Sequence, residues 1–419
     1  MVDQERASTK PENGSAVRNT ILLSHANPED NEFTLWLASQ LAHQDRRSRL
    51  KKQGHKEGGF SECEGAALAL PGFNAFAPEW LRQKFLFYFL LSQRKAFIEK
   101  GQRGAQPNIS QEIVRSHPML LPPIAEQNRI VDMLEALLEK VQASRERIDT
   151  IPGILKHFRQ SVLAAACSGR LTADWREQSD SGSRIVASPA NPKAASAVEE
   201  LYDTPEYWHW LPLNALCDPS RAICYGVIKL GTEHNNGVPC LRTSDVKPLR
   251  IDTVGVKRIA PAISNNFSRT VLRGGEVLVN VRGTLGGVAV VPQELRAWNI
   301  SRKVAMVPLM GILPEYVAYW IASLPCQNWL TGVAKGVAYT GINIEDLREL
   351  PVAVPSIAEQ QEIVRRVHEL FAIADRIEVR RAQATAYLQK LPQSILAKAF
   401  QGELVPTEAE LARREGREF

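Results

Sequence analysis

The sequence predicts an α+β fold in which β-rich domains alternate with two long helices that pair as an antiparallel coiled coil. Three observations support this prediction: one segment of the chain occurs twice, each copy carries a long apolar ladder, and short glycine-bounded apolar runs lie between the ladders. The chain has 419 residues, of which 44% are hydrophobic and 23% charged. These values are ordinary for a globular protein of two or three domains.

The repeated segment recurs at one fixed spacing. Ile124–Gln127 recurs as Ile357–Gln360, and the Ser161–Leu171 stretch recurs as Ser394–Leu404, both at an offset of 233 residues and without a gap. This period is far longer than that of a solenoid repeat. The repeat therefore indicates two large modules related by pseudo-symmetry.

Both copies carry a ladder of mostly apolar residues at alternating steps of four and three. The ladders are Ile130, Leu134, Leu137, Val141, Ser144, Ile148, Ile151, Leu155, Phe158 and Val162, and Ile363, Val367, Leu370, Ala374, Ile377, Arg381, Ala384, Leu388, Leu391 and Ile395. A stripe sustained over four or more heptads is typical of a coiled coil. The alternative is an amphipathic helix on a globular core. Two copies of one narrow seam favour a coiled coil, because each is the natural partner of the other.

A proline lies inside each ladder, Pro152 in the first and Pro392 in the second. Proline removes one backbone donor from a helix. Each proline is therefore predicted to kink its helix or to mark a joint between two helical pieces.

Between the ladders, short apolar runs alternate with glycines. The runs are Gly237–Arg242, Gly275–Gly283, Gly287–Val291 and Lys303–Val307. Runs of this length and spacing predict a curled β-rich sheet. After these runs the sequence predicts a helix from Pro314 to about Leu330 and then a loop at residues 335–343. Before them, the stretch from Arg176 to about Thr204 is rich in Ser, Ala, Pro and Asn, which is typical of a linker.

Charge is unevenly distributed along the chain. The net charge is only +5, yet residues 221–303 contain thirteen Lys and Arg against five Asp and Glu. A basic module of this kind suits a phosphate-bearing partner such as double-stranded DNA. A solvated surface with a chance imbalance is the alternative.

The remaining composition argues against a membrane, a metal and a cofactor. No signal peptide opens the chain and no apolar run is long enough to span a bilayer, so we expect a soluble, cytoplasmic protein. The six cysteines form no CxxC pair and no zinc-like spacing, which favours reduced structural thiols. Motifs for adenine methylation, S-adenosylmethionine binding and ATP binding are absent, so we expect neither a catalytic site nor a cofactor.

Several of these motifs together resemble one family, the specificity (S) subunits of type I restriction-modification enzymes. The strongest is the duplicated Pro-x-Ile-Ala-Glu-Gln at the start of each helix, Pro122–Gln127 and Pro355–Gln360. Others are the domain opening with Trp208, Pro212 and Leu213, the run Tyr225–Lys229, and Arg282-Gly283 before a glycine-rich turn. The resemblance covers about residues 66–405.

The resemblance implies a non-catalytic DNA-binding subunit. In such a protein each target-recognition domain reads half of a split target, and the helix pair sets the spacing while docking methyltransferase (M) and motor-nuclease (R) subunits. A coiled-coil adaptor that does not read DNA sequence is one alternative. A signalling enzyme fragment of the Toll/interleukin-receptor (TIR) type is the other, because residues 21–42 look like the first strand and helix of such a domain.

The resemblance also gives the domain boundaries. They are 1–65, an aberrant and poorly ordered start; 66–120, a remnant of the first recognition domain; 121–175, the first long helix; 176–205, the linker; 206–352, the intact second recognition domain; 353–405, the second long helix; and 406–419, a charged tail. Ala77–Trp80 is aligned with Leu313–Tyr316. Because the first domain lacks most of its length, we expect a partly degenerate copy, with an inactive remnant favoured over a reader of one half-site.

Candidate DNA-binding residues are polar and cationic side chains in or beside the glycine-containing loops of the second domain. They are Lys229, Arg242, Thr243, Ser244, Asn280, Arg282, Arg302, Lys335, Tyr339 and Thr340. Arg and Lys pair with guanine edges or phosphates, Asn with adenine, and Ser, Thr and Tyr with phosphate or either base. For each of them, a surface or loop-stabilising role is the alternative. Asn343 is also a candidate, but we favour a helix-capping role for it.

Overall fold

The structure is a computed structural model that describes residues 19–22, 80–100, 113, 116–178, 202–283, 286–334 and 341–417. The helices are α1 Gln83–Ser92, α2 Arg94–Lys100, α3 Ile124–Cys167, α4 Ala173–Gln178, α5 Pro261–Asn265, α6 Pro314–Ala322, α7 Leu324–Ala334, α8 Ile344–Arg348, α9 Ile357–Gln401 and α10 Glu408–Arg414. The strands are β1 Asn19–Leu22, β2 Pro118–Leu121, β3 His209–Pro212, β4 Cys224–Tyr225, β5 Val238–Leu241, β6 Val246–Lys247, β7 Arg250–Ile251, β8 Arg258–Ile259, β9 Val277–Asn280, β10 Val288–Val290, β11 Asn299–Ile300, β12 Val304–Val307 and β13 Pro351–Val354. The mixed α and β content agrees with the predicted fold class.

The chain divides into two compact units. The first comprises Met1–Asp149 with Arg381–Phe419, and the second comprises Thr150–Arg380. Each unit therefore contains the beginning of one long helix and the end of the other.

In the first unit, α1, α2 and β2 pack with the two helix segments around one apolar core. Phe85, Phe97, Met119 and Leu134 are fully buried in it. Phe400, from the end of α9, makes edge-to-face contacts with Phe85 and Phe89.

The second unit holds most of the strands. Its four-stranded sheet has the order β10-β9-β12-β4 with antiparallel neighbours, and β11-β5-β8 forms a second, three-stranded sheet. The pairs β3 with β13 and β6 with β7 are antiparallel ribbons. The strands predicted at residues 237–242, 275–283, 287–291 and 303–307 are all present, as β5, β9, β10 and β12.

The first unit contains a strand in the segment that the sequence predicted to be poorly ordered. Asn19–Leu22 pairs antiparallel with Pro118–Leu121, with Asn19 opposite Leu121. His209–Pro212 pairs with Pro351–Val354 in the same register, His209 opposite Val354. Since β2 and β13 are separated by the repeat offset, β1 takes the place of the domain-opening strand β3. Poor order of residues 1–65 stays a prediction, because all of that segment except these four residues lies outside the described residues.

The repeated glutamine at the start of each long helix makes two matching contacts in both units, and Gln127 adds a third, from its amide to Trp80 O at 3.0 Å. The amide of Gln127 donates to Pro122 O, and its carbonyl accepts from Arg82 N at 2.8 Å. Gln360 repeats this with Pro355 O and with Leu313 N at 2.9 Å. Arg82 and Leu313 immediately precede α1 and α6. The structure therefore corrects the alignment of Ala77–Trp80 with Leu313–Tyr316, because the residue equivalent to Leu313 is Arg82.

The long helices meet in antiparallel contacts within each unit. In the first unit Arg145 bonds Leu388 O on α9, and Arg129, earlier on α3, bonds Glu408 at the start of α10, beyond the end of α9. Rising numbers on α3 thus meet falling numbers in the segment that contains α9 and α10. In the second unit Arg159 bonds Asp375 and Glu378. Ile363, Val367 and Ala374 of the second ladder are fully buried, whereas Ile377 is 39% exposed. Pairing along the whole length, as a coiled coil, stays a prediction.

The two prolines do not divide the long helices into separate pieces. Both α3 and α9 are continuous through Pro152 and Pro392. Pro392 cannot donate to Leu388 O, four residues earlier. Arg145 donates to that carbonyl at 2.9 Å, which satisfies the acceptor that the proline leaves free.

Three element boundaries differ from the prediction. The helix expected from Pro314 to about Leu330 is interrupted at Ser323, which is extended at ψ 150°, and Pro325 then lies in the first turn of α7. A proline is favoured in a first helical turn, where it needs no backbone partner. The linker begins later than predicted, since α4 continues to Gln178, and the charged tail contains α10, which begins with a Thr407–Glu410 capping box.

Candidate nucleic-acid interface

The loops that carry the candidate residues lie at one end of the strands of the second unit. Arg302 N donates to Val227 O at 2.8 Å, Val281 N to Lys303 O at 3.0 Å, and Ser301 N to Leu241 O at 2.8 Å. Residues 301–303 lie between β11 and β12. These bonds join them to the end of β5 and to the segments that follow β4 and β9. We call this set of loops the cationic end, defined by residues 226–229, 242–245, 252–257, 281–283 and 301–303.

The loop after β4 is fixed in place and exposes Lys229. Val227 is fully buried and its amide donates to Ile300 O at 2.7 Å. A Cβ at Gly226 would lie 1.9 Å from Ile300 O, so only glycine fits there. Lys229, two residues beyond this anchor, is exposed.

Arg282 is also exposed, and an aromatic ring holds its guanidinium. Its Cζ lies 5.7 Å from the centroid of the Tyr225 ring, within the range of a cation–π contact. The Tyr225 hydroxyl in turn donates to Ile342 O at 3.4 Å. Arg282 therefore presents a positive charge from the end of β9 while its planar face remains packed.

Arg302 and Lys303 are two further exposed cations, immediately before β12. Arg302 is among the predicted DNA-binding residues, whereas Lys303 is not. Lys303 is the first residue of the strand-like run that ends at Val307. A cation at the start of a predicted strand was the sequence signal that could have identified it as a candidate.

Arg242 forms an ion pair with the neighbouring carboxylate of Asp245, and we call this pair the Arg242–Asp245 clamp. Asp245, which is buried, accepts from Arg242 Nε at 3.0 Å and from Nη2 at 3.1 Å, and also from the Arg242 backbone amide. The hydrogen bond to Asp245 raises the pKa of Arg242. Because this guanidinium is already paired, the structure supports the loop-stabilising alternative over a free DNA contact.

Thr243 and Ser244 form the tip of that loop. The Ser244 hydroxyl donates to Asp245 at 2.8 Å, and Ser244 is exposed. The Thr243 carbonyl accepts from the Asn280 amide at 3.1 Å. Both residues are thus held at the cationic end through the backbone and the buried carboxylate.

Asn280 does not reach the surface. It is 1% exposed, and its Nδ2 donates to Thr243 O and Val246 O, both at 3.1 Å. A Cβ at Gly287 would lie 2.1 Å from this nitrogen, so the side chain fills the space beside a glycine. The prediction that Asn280 contacts a base is corrected: burial makes it a brace for the 243–246 loop.

The other candidates do not add to the described surface. Lys335, Tyr339 and Thr340 lie outside the described residues. Asn343 precedes α8 as the capping prediction required, but its side chain accepts no hydrogen bond from the helix. The cationic end therefore rests on Lys229, Arg282, Arg302 and Lys303, with Ser244 beside them.

Other chemistry is not found in the part of the chain that the structure describes. Within those residues no group of three or more His, Cys, Asp or Glu is placed to hold a metal, and no helix there is long and apolar enough to cross a membrane. The five cysteines in the described ranges are free. Burial raises the pKa of Cys217 and that of Cys240 to about 12, which keeps both as thiols at neutral pH.

Comparison with known proteins identifies relatives of this chain. Residues 69–152 and 227–384, more than half of the chain, match the family described as the type I restriction modification DNA specificity domain. The specificity subunit of the type I restriction enzyme EcoBI of Escherichia coli is 35% identical over 324 residues, which cover 77% of this chain and 66% of that protein. The EcoDI specificity subunit of Escherichia coli is 29% identical over 339 residues, which cover 79% and 74%.

A solved structure shows the same fold. A chain from a structure of the assembly and conformational transition of a type I R-M system has a TM-score of 0.55 and 23% identity, covering 78% of this chain and 73% of that chain. This chain thus spans about two thirds of the length of the first of its curated relatives.

Proposed function

The chain belongs to the type I restriction modification DNA specificity family, and we propose that it is the DNA-reading subunit of such a system. The observation that carries the proposal is the cationic end. Four exposed cations, Lys229, Arg282, Arg302 and Lys303, lie on loops that buried glycine and valine contacts hold in place. Exposed Lys and Arg at fixed spacing suit contacts with DNA phosphates and guanine edges.

We propose that residues 206–352 form the reading domain and that the chain contains no active site of its own. The exposed cations of the cationic end all belong to this domain, whereas the described strands of the first unit are Asn19–Leu22 and Pro118–Leu121. Sequence-specific reading is therefore assigned to the second domain alone.

The proposed partners are double-stranded DNA, M subunits and, through the complex, R subunits, in the cytoplasm. The long helices offer a surface for such partners. On the second unit's part of α9, Ile373, Ile377 and Val379 are 42%, 39% and 58% exposed. Ile373 and Ile377 are four residues apart and therefore lie on one face of α9, which is the surface proposed for such a partner.

The test is to express the full chain with its M subunit in a methylation-free host and to sequence the methylated bases. A recurrent target sequence is expected. The complex should also bind duplex DNA with an affinity that falls steeply with salt. Absence of a recurrent target, together with binding indifferent to salt, would contradict the proposal.

A matched pair of variants tests the cationic end itself. Changing Lys229, Arg282 and Arg302 to Gln together should lower the slope of log affinity against log salt by about two to three units, since each phosphate contact contributes about 0.9. The control changes Arg269, Arg273 and Arg296 to Gln. These are also exposed but precede β9 and β11, at the opposite ends of the strands. An equal loss in both triple variants would show that the cationic end has no special role.

A further inference from the structure

Two aliphatic side chains are exposed at the cationic end, among the cations. Val254 is 87% exposed, the largest value among the exposed large hydrophobic residues of the described chain, and Ile228 is 57% exposed. Ile228 is the neighbour of Lys229. Val254 lies in the turn before β8, whose start faces the end of β5 through the bond from Cys240 N to Lys257 O.

The turn that carries Val254 is built on the Arg242–Asp245 clamp. Asp252 N donates to Asp245 O at 2.7 Å, and Arg242 Nη2 donates to Gly255 O at 3.3 Å. Within the turn, Val254 N donates to Asp252 Oδ1 at 3.1 Å, and Gly255 has φ +67°. The exposure of Val254 is therefore set by a hydrogen-bonded backbone.

Ile228 is held in a comparable way. Its neighbour Val227 is fully buried and bonded through both its amide and its carbonyl, to Ile300 O and Arg302 N. Two separate loops thus each present one aliphatic side chain to solvent at the same end of the domain.

Exposed aliphatic surface costs free energy in water, roughly 25 cal/mol per Å². Neither side chain recovers this cost by packing in the domain. On the edges of the base pairs in the major groove, the apolar group is the C5-methyl of thymine, and aliphatic side chains read it by contact. Hydrogen-bonding side chains cannot do so.

We propose that Ile228 and Val254 each contact the C5-methyl group of a thymine, so that the half-site read by this domain contains A·T pairs at two fixed positions. This inference rests on the proposed function. Lys229, Arg282 and Arg302 hold the duplex against the loops, and the two aliphatic side chains contribute base selectivity.

The test replaces each thymine of the half-site, one at a time, by deoxyuridine, which lacks only the methyl group. The full chain in complex with its M subunit should lose about fourfold in affinity at two thymines, the fold-change that corresponds to the roughly 0.8 kcal/mol of burying one methyl-sized group. Ile228→Ser should abolish the loss at one of these thymines, and Val254→Ser the loss at the other, because serine has no methyl group to contact the thymine.

The matched control is Val379→Ser, which changes an aliphatic side chain of similar exposure to Ile228 on α9, away from the loops. It should retain both uracil effects, and thermal melting should show that all three variants fold like the parent. A target with a flat uracil scan overturns this inference and leaves the proposed function standing. Ile228→Ser and Val254→Ser complexes that keep both uracil effects do the same. No recurrent target at all overturns both.

Discussion

The same six-residue motif begins both long helices, yet its two polar residues behave differently in the two units. Gln127 and Gln360 make matching pairs of hydrogen bonds with the preceding proline carbonyl and with the amide before a short helix. Glu126 and Glu359 do not match. The glutamine therefore makes hydrogen bonds that both copies of the repeat share. The glutamate instead binds a neighbouring segment that differs between the two units.

Glu359 is surrounded by donors. Its two oxygens accept from Thr172 and Arg176 of the segment after α3, and from the side chains of Tyr207 and Trp208 at the domain opening. It is 1% exposed.

Glu126 is 7% exposed and, within the described residues, accepts one such bond, from Glu408 N at 2.9 Å. Each glutamate therefore binds the segment that follows the other long helix. Among the contacts of the described residues, Glu359 alone also binds a domain-opening segment, through Tyr207 and Trp208.

The largest expected effect is loss of the Glu359 carboxylate. Glu359→Gln leaves the Arg176 guanidinium without its buried partner, and removing one member of a buried pair costs about 3 kcal/mol or more. Glu126→Gln should cost about 1 kcal/mol, because it weakens one hydrogen bond to a backbone amide. Urea denaturation of the full chain, followed by tryptophan fluorescence, compares the two. Equal losses would mean that the difference in donors has no energetic consequence.

The repeated glutamine should show no such asymmetry. Gln127→Leu and Gln360→Leu each leave one backbone amide and one proline carbonyl without a partner, at a cost of about 2 kcal/mol. Gln127→Leu also removes the donor to Trp80 O, but Trp80 is exposed, so water replaces that bond at little cost. The same denaturation experiment should give losses that agree within about 0.5 kcal/mol. A twofold difference between the two losses of stability would show that the repeated glutamines are not equivalent in the two units.

Periodicity and repetition in the sequence predicted the architecture well. The strands β5, β9, β10 and β12, the two long helices and the family resemblance all followed from local patterns. The pairing of Asn19–Leu22 was missed, because its partner strand, Pro118–Leu121, lies nearly a hundred residues away. The sequence there looked like a different domain, and only the pairing register shows which strand it replaces.

The candidate site was predictable only in part. Residue type and a glycine neighbour placed Lys229, Arg282 and Arg302 correctly at an exposed loop end. The same criteria selected Arg242 and Asn280, which are engaged by Asp245 and by backbone carbonyls. Burial and partners depend on tertiary packing, so a polar residue beside a glycine cannot be assigned to a ligand or to a loop from its type alone.

A smaller effect is expected at Leu388 O, the carbonyl of the first unit that Pro392 leaves without a helical donor. Arg145→Met removes its donor to Leu388 O and should cost about 1 kcal/mol. The control is Lys140→Met, which changes an exposed cation one turn earlier on α3 and should alter stability by less than about 0.5 kcal/mol. Hydrogen exchange of the α9 amides near Leu388 should rise in the first variant alone. Unchanged exchange there would show that water serves the carbonyl equally well.

The smallest expected effect concerns acid sensitivity, and it too distinguishes the units. Hydrogen bonds from Arg365 and then Arg366 lower the pKa of Glu362 to about 2. A carboxylate whose pKa is lower in the folded state stabilises the protein above its unfolded pKa, and this contribution is lost as the pH falls from about 4.5 towards 2.

The equivalent position in the first unit is occupied by Arg129, which is not a carboxylate. Glu362→Gln should cost only a few tenths of a kcal/mol at pH 7, because Arg365 is half exposed and solvent screens the pair. Between pH 4.5 and 2 the stability of this variant should fall less than that of the parent, and the two should converge at pH 2. Parallel curves over that range would show that Glu362 is not ion-paired in solution.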